Sequence, residues 1–128
     1  MLSRHLLFCF VIGNGDMHLK NFSLVTQIDG EVLLSPAYDL LSSKLVLPKE
    51  EDLAISLHGK KNKLYAKDFV EFALEQGLNR KAVKNSVQRL LGLQQIFFEW
   101  VNLSFLPLEQ KATLHKIMEE RFKRLKKL

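Results

Sequence analysis

The chain has 128 residues, a mass of 14.8 kDa, 47% hydrophobic composition and a net charge of +5. That is enough for one globular core and too little for two ordinary domains, so residues 1–128 are read as a single domain. No repeat or low-complexity tract is visible, which argues against a solenoid or a disordered chain. The lone cysteine, Cys9, excludes an internal disulfide framework. Between Phe8 and Phe10 it reads as a buried packing residue of a cytoplasmic protein in a reducing compartment.

In chain order, the apolar run of residues 6–12 is too short to span a bilayer and lacks a cleavage pattern. Being apolar on nearly every face, it predicts a buried helix that Gly13-Asn14-Gly15 breaks. Residues 22–26 read as a strand, Asp29-Gly30 as a tight turn and residues 32–34 as the returning strand, ended by Pro36. Residues 44–51 read as a loop, 53–57 as a short strand, and 58–62 as the turn leading away from it. The lysine-rich run at 60–63 is expected to be solvated.

Spacing predicts a helix over residues 66–76, with Phe69, Val70, Ala73 and Leu74 on one face, Asp68 in the first turn and Gly77 at the stop. Asn79 is expected to cap one long helix reaching to about residue 104, its inner face made of Val83, Val87, Leu90, Leu91, Phe97, Trp100 and Val101. Pro107 marks a boundary. The last helix runs from about residue 108, with Leu114, Met118, Phe122 and Leu125 on one stripe and Lys and Arg on the other. The fold class is therefore α+β, mostly α.

The basic excess is local. Residues 111–128 hold seven Lys and Arg against two acids, whereas residues 1–43 hold two against four. His5, His58 and His115 have no metal-ligand spacing with a cysteine or an acid pair and are read as surface or packing residues.

The stretch with chemical content is Gly13-Asn14-Gly15-Asp16-Met17-His18-Leu19-Lys20-Asn21, a polar loop between a predicted helix and a predicted strand. Phosphoryl transfer needs a carboxylate to orient and deprotonate an attacking hydroxyl. It also needs an amide oxygen and a second carboxylate to hold Mg²⁺ against the phosphates. Asp16 and Asn21 show the Asp-x-x-x-x-Asn spacing of protein-kinase catalytic loops, and Asp39 follows the predicted hairpin, where the metal-binding aspartate of that fold stands.

The segment G-N-G-D-M-H-L-K-N-F-S closely resembles the catalytic loop of HipA-like serine/threonine kinases, the bacterial toxin kinases of toxin–antitoxin operons. L-S-P-A-Y-D-L-L at 34–41 resembles their metal-binding segment, and L-A-I-S-L-H-G-K resembles a further part of their C-terminal region. The likeness spans about residues 1–80. It implies a protein-kinase-like C-terminal lobe with a small β-hairpin beside the catalytic loop and a helical tail. It also implies Asp16 as catalytic base, Asn21 and Asp39 as Mg²⁺ ligands, and His18 and Lys20 as partners of the ATP phosphates. The substrate would be a protein Ser or Thr hydroxyl.

The same resemblance implies an N-terminal nucleotide-binding lobe that these residues do not supply, so the chain alone is expected to be inactive. Expected partners are that lobe or an antitoxin, with DNA reached only through the antitoxin and no membrane involved. Two rival readings remain: a non-catalytic interaction subunit, and a basic nucleic-acid-binding module centred on the last helix.

Overall fold

The computed structural model describes residues 2–127. Helix α1 covers Leu2–Ile12 and is followed by a two-stranded antiparallel sheet, β1 (Leu24–Thr26) with β2 (Val32–Leu34), in which Leu24 faces Leu34 and Thr26 faces Val32. Four helices follow: α2 (Ala66–Glu75), α3 (Arg80–Gly92), α4 (Gln94–Leu103) and α5 (Leu108–Leu125). The α+β, mostly helical architecture matches the sequence expectation.

The core forms around α1 because that helix has apolar side chains on several faces at once. Leu6, Leu7, Cys9, Phe10 and Val11 are all buried, and α1 lies chiefly against α5, with α2 and α3 on its other sides. Phe10 meets the edge of Phe69 on α2, with centroids 5.1 Å apart, while Phe97 and Phe98 of α4 both stand edge-on to Phe122 of α5. Such edge-to-face contacts add to simple area burial. Leu114, Met118, Phe122 and Leu125 form the buried stripe of α5 as the spacing predicted.

Helix α2 starts where the Asp68 carboxylate accepts the Tyr65 amide at 2.6 Å, and the chain leaves it through Gly77 at φ 77°. Asn79 caps α3, its side chain accepting the Lys81 amide at 2.7 Å. His115 stacks on Phe98 and His5 on Phe22, in keeping with packing roles.

Four local expectations need correction. The single long helix is two: α3 and α4 meet at Leu93 (φ −92°, ψ 0°), directly after Gly92, a residue of poor helix propensity. Past the bend Phe97 lies between Phe8 of α1 and Phe122 of α5, while Trp100, expected on the inner face, is exposed. Residues 53–57 are not a strand: among the described residues the one sheet is the β1–β2 pair, and it does not include them. Leu53 and Leu57 are instead core plugs, held by the Leu53 amide donating to the Lys61 carbonyl and by a bridge from Leu57 to Lys60. The 60–63 run is pinned as well as solvated: Lys60 pairs with Asp68 at 3.0 Å, and the Asn62 side chain accepts the Asp52 amide at 3.0 Å.

The fourth correction concerns charge. Arg121 lies on the buried stripe of α5, 1% exposed, ion-paired with buried Asp52 and stacked 4.7 Å from the centre of the Phe10 ring. Arg124 reaches the other Asp52 oxygen at 2.7 Å. Burial pushes the Asp52 carboxyl up, but the Leu64 amide and the two guanidinium groups outweigh it and hold it below the usual carboxylate value. Two of the cations on α5 therefore serve the interior.

Candidate active site

The site begins with the way α1 stops. Gly13, at φ 71°, takes the left-handed conformation that ends a helix, and its amide returns to the Phe10 carbonyl while the Asn14 amide reaches back to Cys9 at 2.8 Å. This turn drives Asn14 inward until it is 1% exposed. From there residues alternate: Asn14, Gly15 and Met17 are buried, whereas Asp16 and His18 face solvent. Met17, an apolar residue in a polar loop, is the peg that holds the loop against the core.

Gly15 is required by space. A Cβ there would lie 2.5 Å from the Glu51 carbonyl oxygen and 2.7 Å from the Glu50 carboxylate. The Gly15 amide donates to Ser43 Oγ at 3.0 Å, and the Ser43 hydroxyl in turn hydrogen-bonds the Glu50 carboxylate. Lys44 completes this backing: its amide donates to the Gly13 carbonyl at 3.0 Å and its Nζ to the Glu50 carbonyl at 2.8 Å. Ser43 and Glu50 were not legible as site residues, because serine and glutamate in a charged loop carry no periodic signal.

A single 3-10 turn, Leu19–Asn21, follows and presents Asn21 to Asp39. The hairpin supplies the return path. At its base the Ser35 amide donates to the Ser23 carbonyl and the two serine hydroxyls meet at 2.9 Å, which brings residues 36–39 back beside the loop. The Tyr38 hydroxyl then donates to the Lys20 carbonyl at 3.3 Å. Asp39 itself sits at φ 55°, a left-handed conformation that aspartate tolerates better than most residues.

The decisive contact is Asn21 Nδ2 donating to Asp39 Oδ2 at 2.6 Å. The carboxylate demands the NH₂ of the amide, so Asn21 Oδ1 and the second Asp39 oxygen are not used in this contact and stay available as hard acceptors. Asp16 and His18 form the other pair, Nε2 lying 3.4 Å from Oδ1 with both side chains about half exposed. Among the described residues no hydrogen bond or ion pair engages the Lys20 amino group. The structure thus joins Asn21 to Asp39 and Asp16 to His18, and places Lys20 on the solvent side of the same loop.

Among the described residues no group of three or more His, Cys, Asp or Glu side chains is arranged to enclose a metal ion. A closed protein cage is therefore not on offer. Mg²⁺, however, commonly takes only one or two protein oxygens and completes its octahedron with water and phosphate. The Asp39 carboxylate and the Asn21 amide oxygen, carried by two side chains already in contact, fit that requirement.

Two apolar grooves lie elsewhere. One of about 450 Å³ is lined by residues of α1, α3 and α4, and one of about 430 Å³ by residues of α1, α4 and α5; neither includes Asp16, Asn21 or Asp39. The candidate site is instead an open ledge.

The model of the HipA-like C-terminal domain matches residues 1–95. The chain belongs to that family. It is 42% identical over 82 residues to "Putative kinase Y4dM" of Sinorhizobium fredii, an alignment covering 62% of this chain and 20% of that protein. It is 29% identical over 125 residues to a "Putative kinase" of Haemophilus influenzae, covering 81% and 35% respectively. Among solved structures, HipA of Shewanella oneidensis MR-1, in complex with HipB and operator DNA, superposes with a TM-score of 0.81 at 23% identity. That match covers 97% of this chain and 30% of the other. The HipA-like fold thus extends through the helical tail beyond residue 95, while the chain spans about a fifth to a third of the length of these relatives. Among the described residues no helix is long and apolar enough to cross a membrane.

Proposed function

We propose that this chain is the catalytic lobe of an ATP-dependent serine/threonine protein kinase of the HipA toxin type. The observation that carries the reading is the 2.6 Å contact between Asn21 and Asp39, on the same loop as solvent-facing Asp16. In this reading Asn21 and Asp39 hold Mg²⁺, which when bound supplies charge neutralisation to the nucleotide phosphates. Asp16 orients a substrate hydroxyl and takes its proton as the hydroxyl oxygen bonds to the γ-phosphorus and the bridge to the β-phosphate breaks. His18, held against Asp16, and Lys20 neutralise phosphate charge.

The open ledge supports a division of labour in which adenine is held by polypeptide outside these residues. So does the apolar surface beside it. Leu24, Val25, Val32 and Leu33 on the hairpin, with Tyr38, Leu40 and Leu41 after it, are all exposed. An apolar patch next to a catalytic loop favours a covering partner, and we assign it to the nucleotide-binding lobe of a HipA-like kinase.

An antitoxin is the expected further partner, and DNA is reached only through it. The inward turn of Arg121 and Arg124 weakens the rival reading of α5 as a nucleic-acid-binding helix, since both are committed to Asp52.

The test supplies the nucleotide-binding region of a HipA-like kinase, fused or in trans, with γ-labelled ATP, Mg²⁺ and a panel of protein substrates. Transfer that depends on Asp16 supports the proposal. An inert assembly, or one in which Asp16→Asn changes nothing, favours a non-catalytic subunit.

A further inference from the structure

We propose that Asn14 is a positioning residue that couples the catalytic base to the metal ligand through the two hydrogen bonds of its side-chain amide. Asn14 Oδ1 accepts the amide of Asp16 at 3.1 Å, and Asn14 Nδ2 donates to the main-chain carbonyl of Asp39 at 3.3 Å, 25 residues along the chain. An N–H on one side and a carbonyl on the other leave one sensible orientation of the amide, oxygen toward Asp16 and nitrogen toward Asp39. One planar group thereby ties together the backbones of the base and the metal ligand.

Among the described residues the side chain makes no other hydrogen bond; it is 1% exposed and sits on the helix-ending turn of α1, whose two backbone bonds fix where it begins. It lies in the interior without approaching solvent. Its effect on chemistry must therefore pass through the residues it holds.

The need for such a tie is visible at both ends. Asp39 occupies φ 55°, a conformation that is costly for a residue with a Cβ and persists only when its surroundings over-determine it. Its carboxylate is fixed by Asn21, and Asn14 fixes its carbonyl on the opposite side of the same residue. Asp16 has no side-chain anchor except half-exposed His18, so its placement rests on its own backbone, of which Asn14 holds the amide. A shift of Asp39 pulls Asn14, and Asn14 carries the shift to Asp16. Metal binding and base placement become one event.

This inference rests on the assignment of Asn21 and Asp39 as a Mg²⁺ site, and the experiment separates the two claims. The chain is ¹⁵N-labelled and titrated with Mg²⁺ while the Asn14 side-chain NH₂ and the Asp16 and Asp39 amides are followed. Mn²⁺ affinity is measured by the loss of free Mn²⁺ signal for wild type, Asn14→Asp and Asp39→Asn.

Coupling predicts that all three signals move with one midpoint, and that Asp39→Asn abolishes saturable binding. Asn14→Asp keeps the oxygen facing Asp16 but sets a carboxylate oxygen against the Asp39 carbonyl. Its Mn²⁺ affinity should fall on the order of 10-fold. Saturable, Asp39-dependent binding in wild type with a motionless Asn14 NH₂ overturns the coupling and leaves the metal site standing. Absence of any such binding overturns the metal site and the coupling with it. The wild-type titration decides even where Asn14→Asp does not fold.

Discussion

Asn21 and Asp39 meet at 2.6 Å although 18 residues and a β-hairpin separate them in the chain. The contact is made by a buried amide and an exposed carboxylate, so it is a charge-assisted bond at the edge of the protein. Replacing Asn21 with Ala should cost roughly 1.5–3 kcal/mol, the range for hydrogen bonds to charged groups, measured by denaturant unfolding without divalent ions. The same variant should lose Mg²⁺ stabilisation. Wild type at ten times its Mg²⁺ dissociation constant should gain about 1.4 kcal/mol. An unchanged Mg²⁺ gain in Asn21→Ala counts against the site.

Asp16→Asn should separate folding from chemistry. The side chain is 58% exposed and, among the described residues, ion-pairs with His18 alone, so stability should stay within about 0.5 kcal/mol of wild type. Phosphate transfer by the assembled kinase should fall on the order of 100-fold or more, as expected when a general base is removed. A stability loss above that range would mark Asp16 as a structural residue.

Gly15→Ala should damage the loop. The added Cβ meets a main-chain carbonyl that cannot rotate away, along with the Glu50 carboxylate. A cost of about 1–3 kcal/mol is expected from overpacking, with transfer activity lost in parallel because Gly15 precedes the base. Gly77, where a Cβ would meet nothing within 4 Å, gives the contrast. Gly77→Ala should destabilise only through its φ of 77° and leave activity intact.

Asp52 links the segment before α2 to α5, and its ionisation should show in the pH dependence of stability. Its folded value lies below the unfolded one, so its contribution is complete above about pH 4 and lost as pH falls through the folded value. Asp52→Ala, which strands Arg121 in the interior, should cost about 3–5 kcal/mol and flatten that acid limb. An acid unfolding profile identical to wild type would show that the pair is silent.

Cys9 is fully buried, and burial pushes its thiol up to about 11. At pH 8 the folded chain should resist a thiol reagent and react only as it unfolds, so the labelling rate follows the opening equilibrium. Rapid labelling under native conditions would contradict the packing of α1 against α5.

The local patterns in this chain determined most of its elements. An all-round apolar run made α1, a glycine at φ 71° stopped it, Asn79 and Gly77 bounded helices, and the period of α5 chose its buried stripe. The Asp-x-x-x-x-Asn spacing and the position of Asp39 were likewise readable, because they depend on short-range order along the chain.

Only the tertiary structure decided the rest. It bent the predicted long helix at Leu93, left Leu53 and Leu57 as core plugs outside any strand, and drew Arg121 inside. It also recruited Asn14, Ser43 and Glu50 behind the loop of residues 13–21. The polar cases depend on partners distant in sequence: Asp52 for Arg121, Asp39 for Asn14. Helix and strand periods record which face of an element is apolar. They do not record which distant polar group will satisfy a buried donor or charge, and that requirement shaped this site.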